Sequence, residues 1–140
     1  MIPPNGRQCS AVSLVTNYAG PLTLAGDLLV VWNRRYWGWT LPGGMVEDGE
    51  TIEAAQAREL LEETRLATRS AKLIYGAPIA GPVVEAHRAA HVYVFRVDAR
   101  GRPQAGEDGC PVQWLTGREF VDVCPFRAFY AELFRQLAVR

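Results

Sequence analysis

The sequence predicts an α/β fold in which helices cover a mixed β-sheet. Short runs of apolar and β-branched residues, typical of strands, occur both before and after one uninterrupted helical segment. A second helical pattern, marked by aromatic residues at helical spacing, follows near the end of the chain. Strands and helices mixed in this order are typical of layered α/β structures. The 140 residues, 49% of them hydrophobic, suit one continuous core, so residues 1–140 are predicted to form a single domain.

Two strands are predicted ahead of the first helix. Small and β-branched residues favour a strand within residues 8–18, and a short apolar run predicts a buried strand over residues 27–32. Glycine and proline between these runs indicate turns. Residues 37–41 then lead into Pro42-Gly43-Gly44, which breaks any regular element.

Residues 51–65 are predicted to form a helix, because they contain no Gly or Pro and are rich in good helix formers. Thr51 is a suitable N-cap, and an acidic residue follows in the first turn, where the helix dipole favours it. Ala54, Ala57 and Leu61 share one side of this helix. We expect that side to pack against the sheet.

Further strands are predicted over residues 71–75, 90–97 and 112–115, with a Gly-rich acidic loop over residues 98–111. A last helix is predicted from Pro125 to about residue 139. Its apolar stripe is expected to pack in the core; it consists of Phe126, Phe129, Tyr130, Leu133, Phe134 and Leu137.

Three glutamates, Glu59, Glu62 and Glu63, are the informative feature of the first helix. At about 100° per residue, their carboxylates fall on one face. Like charges at these spacings repel, and a divalent cation would remove that cost. Clustered oxygen ligands are what Mg²⁺ or Mn²⁺ prefers, and a partly open coordination shell suits phosphates. A metal site is therefore one interpretation of this face.

A solvated helix surface is the alternative interpretation. Arg58 can pair with Glu62 four residues on, and Arg65 can serve the same carboxylate from the other side. Helices rich in Glu and Arg are usually just exposed faces. The three acids alone favour this second interpretation, so the choice depends on the residues around them.

Those residues form a longer pattern. From Gly44, five residues lead to Glu50, and seven more lead to the run Arg58-Glu59-Leu60-Leu61-Glu62-Glu63-Thr64-Arg65-Leu66. The segment from Gly44 to Leu66 resembles the Nudix box, G-x5-E-x7-R-E-U-x-E-E-x-G-U with U a bulky aliphatic residue, at every specified position but one. So many fixed positions at fixed spacing make the match highly specific. The preceding Leu41-Pro42-Gly43 also resembles the family's usual lead-in.

The one departure is Arg65, which stands where the family pattern has glycine. That glycine ends the helix, because a residue without Cβ adopts the left-handed conformation at little cost. An arginine there is expected to cost about 1 kcal/mol or to redirect the helix exit. The position carries no catalytic role in the pattern, so we expect altered local geometry with the chemistry retained.

The resemblance implies a site residue by residue. Glu59, Glu62 and Glu63 are expected to ligate Mg²⁺, with Mn²⁺ as an alternative, and Glu59 is also a candidate base toward the attacking water. The carbonyl of Gly43 is expected to add a ligand, and Gly44 lets the backbone approach closely. Arg58 is expected to orient the glutamates, and Glu50 to support the metal network through hydrogen bonds.

Site residues outside the box are less specific. Because a loop carboxylate completes the site in several family branches, Glu107 is a predicted catalytic residue, with Glu85 behind it; the alternative is that both solubilise a loop. Arg34 and Arg35 are predicted to meet substrate phosphates, or else are surface charges. Trp39 is predicted to stack on a base, as Trp37 and Tyr93 also could, although aromatic residues in strands are more often core.

The resemblance implies an α/β/α sandwich with a mixed β-sheet, and an enzyme that hydrolyses a diphosphate linkage in a nucleoside diphosphate joined to another group. A nucleoside triphosphate is the leading substrate, damaged or non-standard ones included. ADP-ribose or another nucleotide sugar is the alternative. From other classes come a non-catalytic Nudix module that senses a nucleotide, and a scaffold with a vestigial box. The retained glutamates argue against both.

Composition narrows the partners. Fifteen basic and fifteen acidic residues give a formal net charge of zero, which argues against a nucleic-acid polymer as ligand. We expect no membrane span and no secretory signal, because no apolar run is long enough. Cys9, Cys110 and Cys124 fit no metal pattern and are expected to be thiols in a reducing cytoplasm. A homodimer is implied by the family alone.

Overall fold

The structure, a computed structural model, describes residues 1–3, 8–78 and 91–140. Its strands are β1 (Cys9–Val15), β2 (Asp27–Asn33), β3 (Gly38–Thr40), β4 (Gly43–Met45), β5 (Ala67–Pro78), β6 (His91–Arg100) and β7 (Val112–Thr116). Its helices are α1 (Ile52–Thr64), α2 (Gly117–Val123) and α3 (Arg127–Gln136). None of the helices in these ranges is long and apolar enough to cross a membrane.

The strands form two sheets. The larger has the order β4-β1-β6-β5 and is mixed, because β1 runs parallel to β6 while β4 and β5 are antiparallel to their neighbours. The smaller is antiparallel, with the order β3-β2-β7. The predicted mixed sheet is thus confirmed, and an antiparallel sheet that we did not predict stands beside it.

Helices cover both faces of the larger sheet. Alternate side chains of β1 enter two different cores, since successive residues of a strand point to opposite faces. Val12 and Leu14 join the aromatic residues of α2 and α3. Ala11 and Val15 join the buried side of α1. This arrangement confirms the predicted α/β/α layering.

The first helix begins as the sequence indicates. The Thr51 side chain accepts a hydrogen bond from the N–H of Ala54 at 3.0 Å, so it is the N-cap. At the other end, Arg65 adopts the left-handed conformation with φ 67° and donates its N–H to the carbonyl of Leu61. The chain therefore keeps the turn for which the family uses glycine, at the cost of placing a Cβ in a crowded backbone conformation.

The predicted packing side of α1 is wrong. Leu61 is 52% exposed, and Ala54 is exposed as well, while Ala57 is only partly buried. The residues that contact the sheet side are Ile52, Ala55, Gln56, Leu60 and Thr64. Two of these are polar, which is why the pattern of apolar residues pointed elsewhere.

The two polar residues are buried because their hydrogen bonds are satisfied. Gln56 Nε2 donates to Ser13 Oγ on β1 at 2.9 Å and to Thr68 Oγ1 on β5 at 3.0 Å. Thr64 Oγ1 donates to the Leu60 carbonyl within the helix. Through Gln56, α1 is fixed to strands on both of its flanks, and the glutamate face lies beside the buried face rather than opposite it.

The end of the chain contains two helices where one was predicted. α2 starts at a capping box, in which Thr116 Oγ1 accepts from the Glu119 N–H and the Glu119 carboxylate accepts from the Thr116 N–H. The aromatic stripe is confirmed as core: Phe126, Tyr130, Leu133 and Phe134 are buried, and Phe129 and Leu137 are partly buried against them. β5 and β6 also extend further than predicted, to Ala67 at one end and Arg100 at the other.

Candidate active site

The site is built where the edge strand β4 faces α1. Gly43 and Gly44 pair with Val12 and Ala11 of β1, so they lie at the edge of the larger sheet. A Cβ on Gly43 would come 2.6 Å from the Ala11 carbonyl oxygen. A Cβ on Gly44 would come 2.5 Å from the carboxylate of Glu59. Both glycines are therefore required by close approach, to β1 on one side and to the helix glutamates on the other.

Arg58 is the centre of the polar network. Its guanidinium binds Glu50 as a fork, with Nε to Oε2 at 2.8 Å and Nη2 to Oε1 at 2.9 Å. Nη1 donates to Glu59 Oε1 at 2.9 Å and, more weakly, to Glu62 Oε2 at 3.4 Å. Nη2 also reaches the carbonyl of Met45 at 3.1 Å. One side chain thus joins the loop before α1, β4 and two of the three helix glutamates.

The carboxylates of this network differ in environment. The hydrogen bonds from Arg58 lower the pKa of Glu50, whereas burial raises the pKa of Glu59 above its ordinary value. The Glu62 side chain is 37% exposed and is held only by the long contact to Arg58 among the described side chains. Arg65, which we considered as a partner for Glu62, donates instead to the carbonyl of Ala105.

Glu63 is the most perturbed acid of the group. Burial raises its pKa to about 8, and the negative charges of Glu59, Asp108 and Glu62 add to the effect. A hydrogen bond from the Gly43 N–H to Glu63 Oε1, at 2.7 Å, acts in the opposite direction. The structure therefore brings Gly43 and Glu63 together, through the N–H of the glycine.

The donor set at this edge fits a hard divalent cation. Three carboxylates lie along one face of α1 beside this edge, and burial together with the neighbouring negative charges leaves Glu63 protonated near neutral pH unless a positive charge is supplied. Within residues 1–3, 8–78 and 91–140, no three His, Cys, Asp or Glu side chains already form a metal-binding group. Glu59 and Glu62 are turned to Arg58, and Glu63 to Gly43.

The raised pKa of Glu63 predicts how stability depends on pH. Without divalent cations, the free energy of unfolding should fall as pH rises from about 4.5 to about 8. The folded state holds the Glu63 proton more tightly than the unfolded state does, so this stabilisation is complete below pH 4.5 and is lost as pH rises through the folded pKa.

Glu63→Gln keeps an oxygen for the Gly43 N–H but has no proton to lose. At about pH 9, denaturant titration should find the variant more stable than the wild type by roughly 2 kcal/mol, since one pKa unit corresponds to about 1.4 kcal/mol and the carboxyl is partly solvated. The two proteins should be equally stable at about pH 4. The same pH dependence of the free energy of unfolding in both proteins would contradict the raised pKa of Glu63.

The loop between β6 and β7 brings two more carboxylates near α1. The N–H of Glu107 donates to the Glu62 carbonyl at 2.9 Å, so the backbone of this loop touches the glutamate helix, while the Glu107 side chain is exposed. The neighbouring Asp108 raises the pKa of Glu63 by its charge. Sequence reasoning pointed to the acidic loop of residues 106–109 and chose Glu107 from it rather than Asp108. Glu85, the second choice, lies outside the described residues.

A cavity of about 300 Å³ adjoins the site on the other side of β4. It is lined by Ser10, Val12, Asn33, Arg35, Tyr36, Thr40, Leu41, Gly43, Gly44, Met45, Phe126 and Tyr130. The floor is therefore apolar and aromatic, with polar groups around it, as in small-molecule sites. Ser10 is 3% exposed, and its Oγ has no hydrogen-bond partner among the described residues. β4 separates this cavity from the glutamates.

Of the three predicted substrate-binding residues Arg34, Arg35 and Trp39, only Arg35 lines the cavity. Trp39 packs edge-to-face on Trp32, with ring centroids 5.3 Å apart, and is partly buried against the core. Arg34 is exposed and lies near enough to Cys110 to influence its pKa.

Of the other aromatic candidates, Tyr93 is buried in the core beside α1, and Trp37 is 76% exposed. Sequence reasoning missed the residues that line the cavity from β1 and β2. A serine and an asparagine within apolar strands, Ser10 and Asn33, were the signal that could have found them.

A larger groove, of about 690 Å³, lies at the opposite end of β1. Thr16, Lys72, Arg96 and Trp114 are among the residues that line it. None of the described glutamates of α1 lines this groove.

Comparison with protein families agrees with this geometry. The family model of the NUDIX domain matches residues 10–137. The chain belongs to the Nudix family. The match includes β4, α1 and the loop before β7, so all the features described above lie within the Nudix domain.

Several proteins named as hydrolases or diphosphatases are similar in sequence. An oxidized purine nucleoside triphosphate hydrolase of Danio rerio is 32% identical over 110 residues, which are 76% of this chain and 67% of that protein. A CMP-5'-(N-acetyl-N-hydroxy-3-aminopropyl)phosphonate hydrolase of Streptomyces rubellomurinus is 33% identical over 63% of this chain and 44% of its own length. A putative 8-oxo-dGTP diphosphatase 2 of Mycobacterium tuberculosis is 36% identical over 61% of this chain and 58% of its own. Several of these relatives thus match over less than two thirds of their length.

Solved Nudix structures share the fold at low identity. MutT, in a study of the enzymes from Aliivibrio salmonicida and Vibrio cholerae, superposes with a TM-score of 0.66 at 18% identity, covering 94% of this chain and 95% of that one. The Nudix domain of Shewanella oneidensis NrtR, complexed with ADP ribose, gives 0.68 at 15% identity, covering 96% and 90%. These two structures confirm the fold class.

Proposed function

We propose that this protein is a divalent-metal-dependent hydrolase that cleaves the diphosphate linkage of a nucleoside diphosphate joined to another group. The observation that carries the proposal is the juxtaposition of Glu59 and Glu63 of α1 with the Gly43–Gly44 edge, which borders a cavity of suitable size for a base and sugar. A nucleoside triphosphate, damaged or non-standard ones included, is the leading substrate. Relatives named for oxidized purine nucleoside triphosphates and 8-oxo-dGTP support that choice.

Mg²⁺, with Mn²⁺ as an alternative, is the proposed cofactor, and Glu59, Glu62, Glu63 and the Gly43 carbonyl are the proposed ligands. When bound, the cation neutralises phosphate charge and lowers the pKa of a water. The residues of the chain position these components. Arg58, fixed by its fork to Glu50, holds Glu59 and Glu62 in orientation, and Gly44 leaves the space that the Glu59 carboxylate occupies.

Glu59 and the loop carboxylate Glu107 are the proposed proton acceptors for the attacking water, and we add Asp108 because its charge already acts on Glu63. Arg35 is proposed to meet the substrate phosphates from the cavity side, since it lines the same cavity as Gly43 and Gly44 of β4. Arg34 and Trp39 remain proposed substrate-binding residues, although neither is among the described residues that line the cavity.

The alternative substrate class is ADP-ribose or another nucleotide sugar, which is favoured by the fold shared with an ADP-ribose complex. A non-catalytic nucleotide-sensing module is the alternative from another class. We further propose action as a single Nudix domain in the cytoplasm, without a membrane or nucleic-acid polymer as partner, and a homodimer. Light scattering after gel filtration tests the oligomeric state.

The deciding experiment is product analysis by ³¹P NMR on a substrate panel, with Mg²⁺, with Mn²⁺ and with neither. The panel holds normal and oxidised nucleoside triphosphates, ADP-ribose, nucleotide sugars, dinucleoside polyphosphates and RNA with a 5′-triphosphate. RNA is included because a protein named RNA pyrophosphohydrolase, of Mannheimia succiniciproducens, is 44% identical over 48 residues, which are 33% of this chain and 24% of that protein. Metal-dependent cleavage of a diphosphate is expected. Binding of a nucleotide without any cleavage would favour the sensing module.

The cavity predicts a separate effect on substrate binding. Ser10→Val places a methyl group where the unpartnered hydroxyl now borders the cavity, so KM should rise by roughly tenfold, since one lost or obstructed polar contact corresponds to about 1–2 kcal/mol. Turnover at saturation should change little, because the glutamates lie on the other side of β4. Ser70→Val, at an exposed position of β5, is the control. An unchanged KM would remove this cavity from the substrate site.

A further inference from the structure

At the end of α1, Arg65 adopts a backbone conformation that costs free energy for a residue with a Cβ. Arg65 has φ 67°, in the left-handed region that favours glycine, and its side chain is exposed. It does not pair with Glu62, the partner that the sequence suggested. Its Nε donates instead to the carbonyl oxygen of Ala105, at 3.5 Å, a long hydrogen bond across forty residues of chain.

Ala105 belongs to a loop segment that is docked on the end of α1. The N–H of Gln104 donates to the Thr64 carbonyl at 3.0 Å, and the N–H of Glu107 donates to the Glu62 carbonyl at 2.9 Å. These carbonyls belong to the last turn of the helix, where no further turn supplies a donor. Between them, Gly106 is so close to the helix that an added Cβ would overlap the Glu62 carbonyl oxygen.

The docked segment leads directly to acidic side chains. Glu107 follows the glycine, and Asp108 comes next, with its Oδ1 accepting from the Cys110 N–H at 2.9 Å. Any movement of residues 104–107 away from the helix would carry both acidic residues away from the end of α1.

We propose that Arg65 is a positioning residue for hydrolysis, whose guanidinium holds residues 104–107 on the end of α1 and so keeps the acidic residues Glu107 and Asp108 beside the glutamate helix. The proposal rests on the proposed function. It gives the one departure from the Nudix pattern a role: the side chain that glycine lacks binds the loop carbonyl that lies between the two loop amides held by α1.

The test uses Arg65→Gly, Arg65→Lys and the control Arg118→Ala, which removes an exposed positive charge on α2. Three quantities are measured: unfolding by denaturant, hydrogen exchange of the Gln104 and Glu107 amides in protein without substrate or metal, and kcat and KM on the substrate that the panel identifies. The exchange rates report the loop directly and do not depend on activity.

Arg65→Gly should unfold at the same or a higher denaturant concentration than the wild type, because glycine removes the backbone strain. In the same variant the two amides should exchange about tenfold faster and kcat should fall about tenfold, as is typical when a supporting contact is lost, with KM nearly unchanged. Arg65→Lys retains a cationic donor of similar reach and should recover most of kcat. Arg118→Ala should behave as the wild type.

Unchanged amide exchange and unchanged kcat in Arg65→Gly would overturn the proposal. A parallel loss of stability and activity in that variant would also overturn it, because the residue would then serve only the fold. A wild type that cleaves nothing on the panel defeats the proposed function and, with it, the catalytic importance of Arg65. The exchange rates would still show whether the side chain holds the loop.

Discussion

Glu62→Gln should reduce turnover by roughly a thousandfold, since a metal ion stabilises transition-state charge by several kcal/mol and this variant removes one of its proposed ligands. The loss of turnover can be assigned to the site, because the substitution should leave the free energy of unfolding nearly unchanged. The Glu62 side chain is 37% exposed, and its one described partner is Arg58 Nη1 at 3.4 Å. A glutamine oxygen can still accept a hydrogen bond from this nitrogen.

Glu47→Gln is the matched control. Its carboxylate approaches the same Arg58 nitrogen at 3.9 Å but is 70% exposed and lies outside the glutamate face. A weak exposed ion pair of this kind contributes little, so kcat should stay within about twofold of the wild type. Steady-state kinetics and denaturant unfolding of the wild type, Glu62→Gln and Glu47→Gln test whether the loss is specific to Glu62. A Glu62→Gln variant with full activity would place the chemistry elsewhere than on α1.

Gly44→Ala should reduce kcat by about a hundredfold with little loss of stability. The new Cβ would stand 2.5 Å from the Glu59 carboxylate, which is the movable end of a long side chain, so the carboxylate yields and the strand does not. A displacement of about 1 Å at a catalytic group is enough for a loss of this size.

Gly49→Ala provides the opposite behaviour as a control. Nothing lies within 4 Å of its added Cβ, but φ is +78°. It should lower the free energy of unfolding by about 1 kcal/mol and leave kcat unchanged. If Gly44→Ala loses stability and activity together, the glycine serves the strand rather than the position of Glu59.

The sequence was a good guide where function constrains spacing. The spacing of the box predicted the network that joins Arg58 and Glu50 to Glu59 and Glu62, because a fixed helical repeat turns spacing into geometry. The left-handed conformation at Arg65 is a different case: we expected an altered helix exit, which is wrong, because the chain keeps the turn that the family's glycine marks. The aromatic stripe of α3 was foreseeable from its period.

The remaining features depend on contacts between distant parts of the chain. Apolar spacing alone could not show that Gln56 is buried, because its burial depends on hydroxyl groups of β1 and β5. The cavity also unites residues from β1, β2 and α3, which no local pattern connects. α2 is a different case: its capping residues Thr116 and Glu119 stood in the sequence as a readable start signal, which was missed.

The three cysteines, all within the described part of the chain, are buried and form no disulfide. Cys9 lies in the central strand β1, Cys110 follows the docked acidic loop, and Cys124 lies between α2 and α3. A thiol reagent reaches such groups only when the surrounding structure opens. The three thiols therefore report on local unfolding without any added label. The order in which mass spectrometry finds them alkylated would show which opens first: the loop before Cys110, the connection between α2 and α3 at Cys124, or the sheet at Cys9.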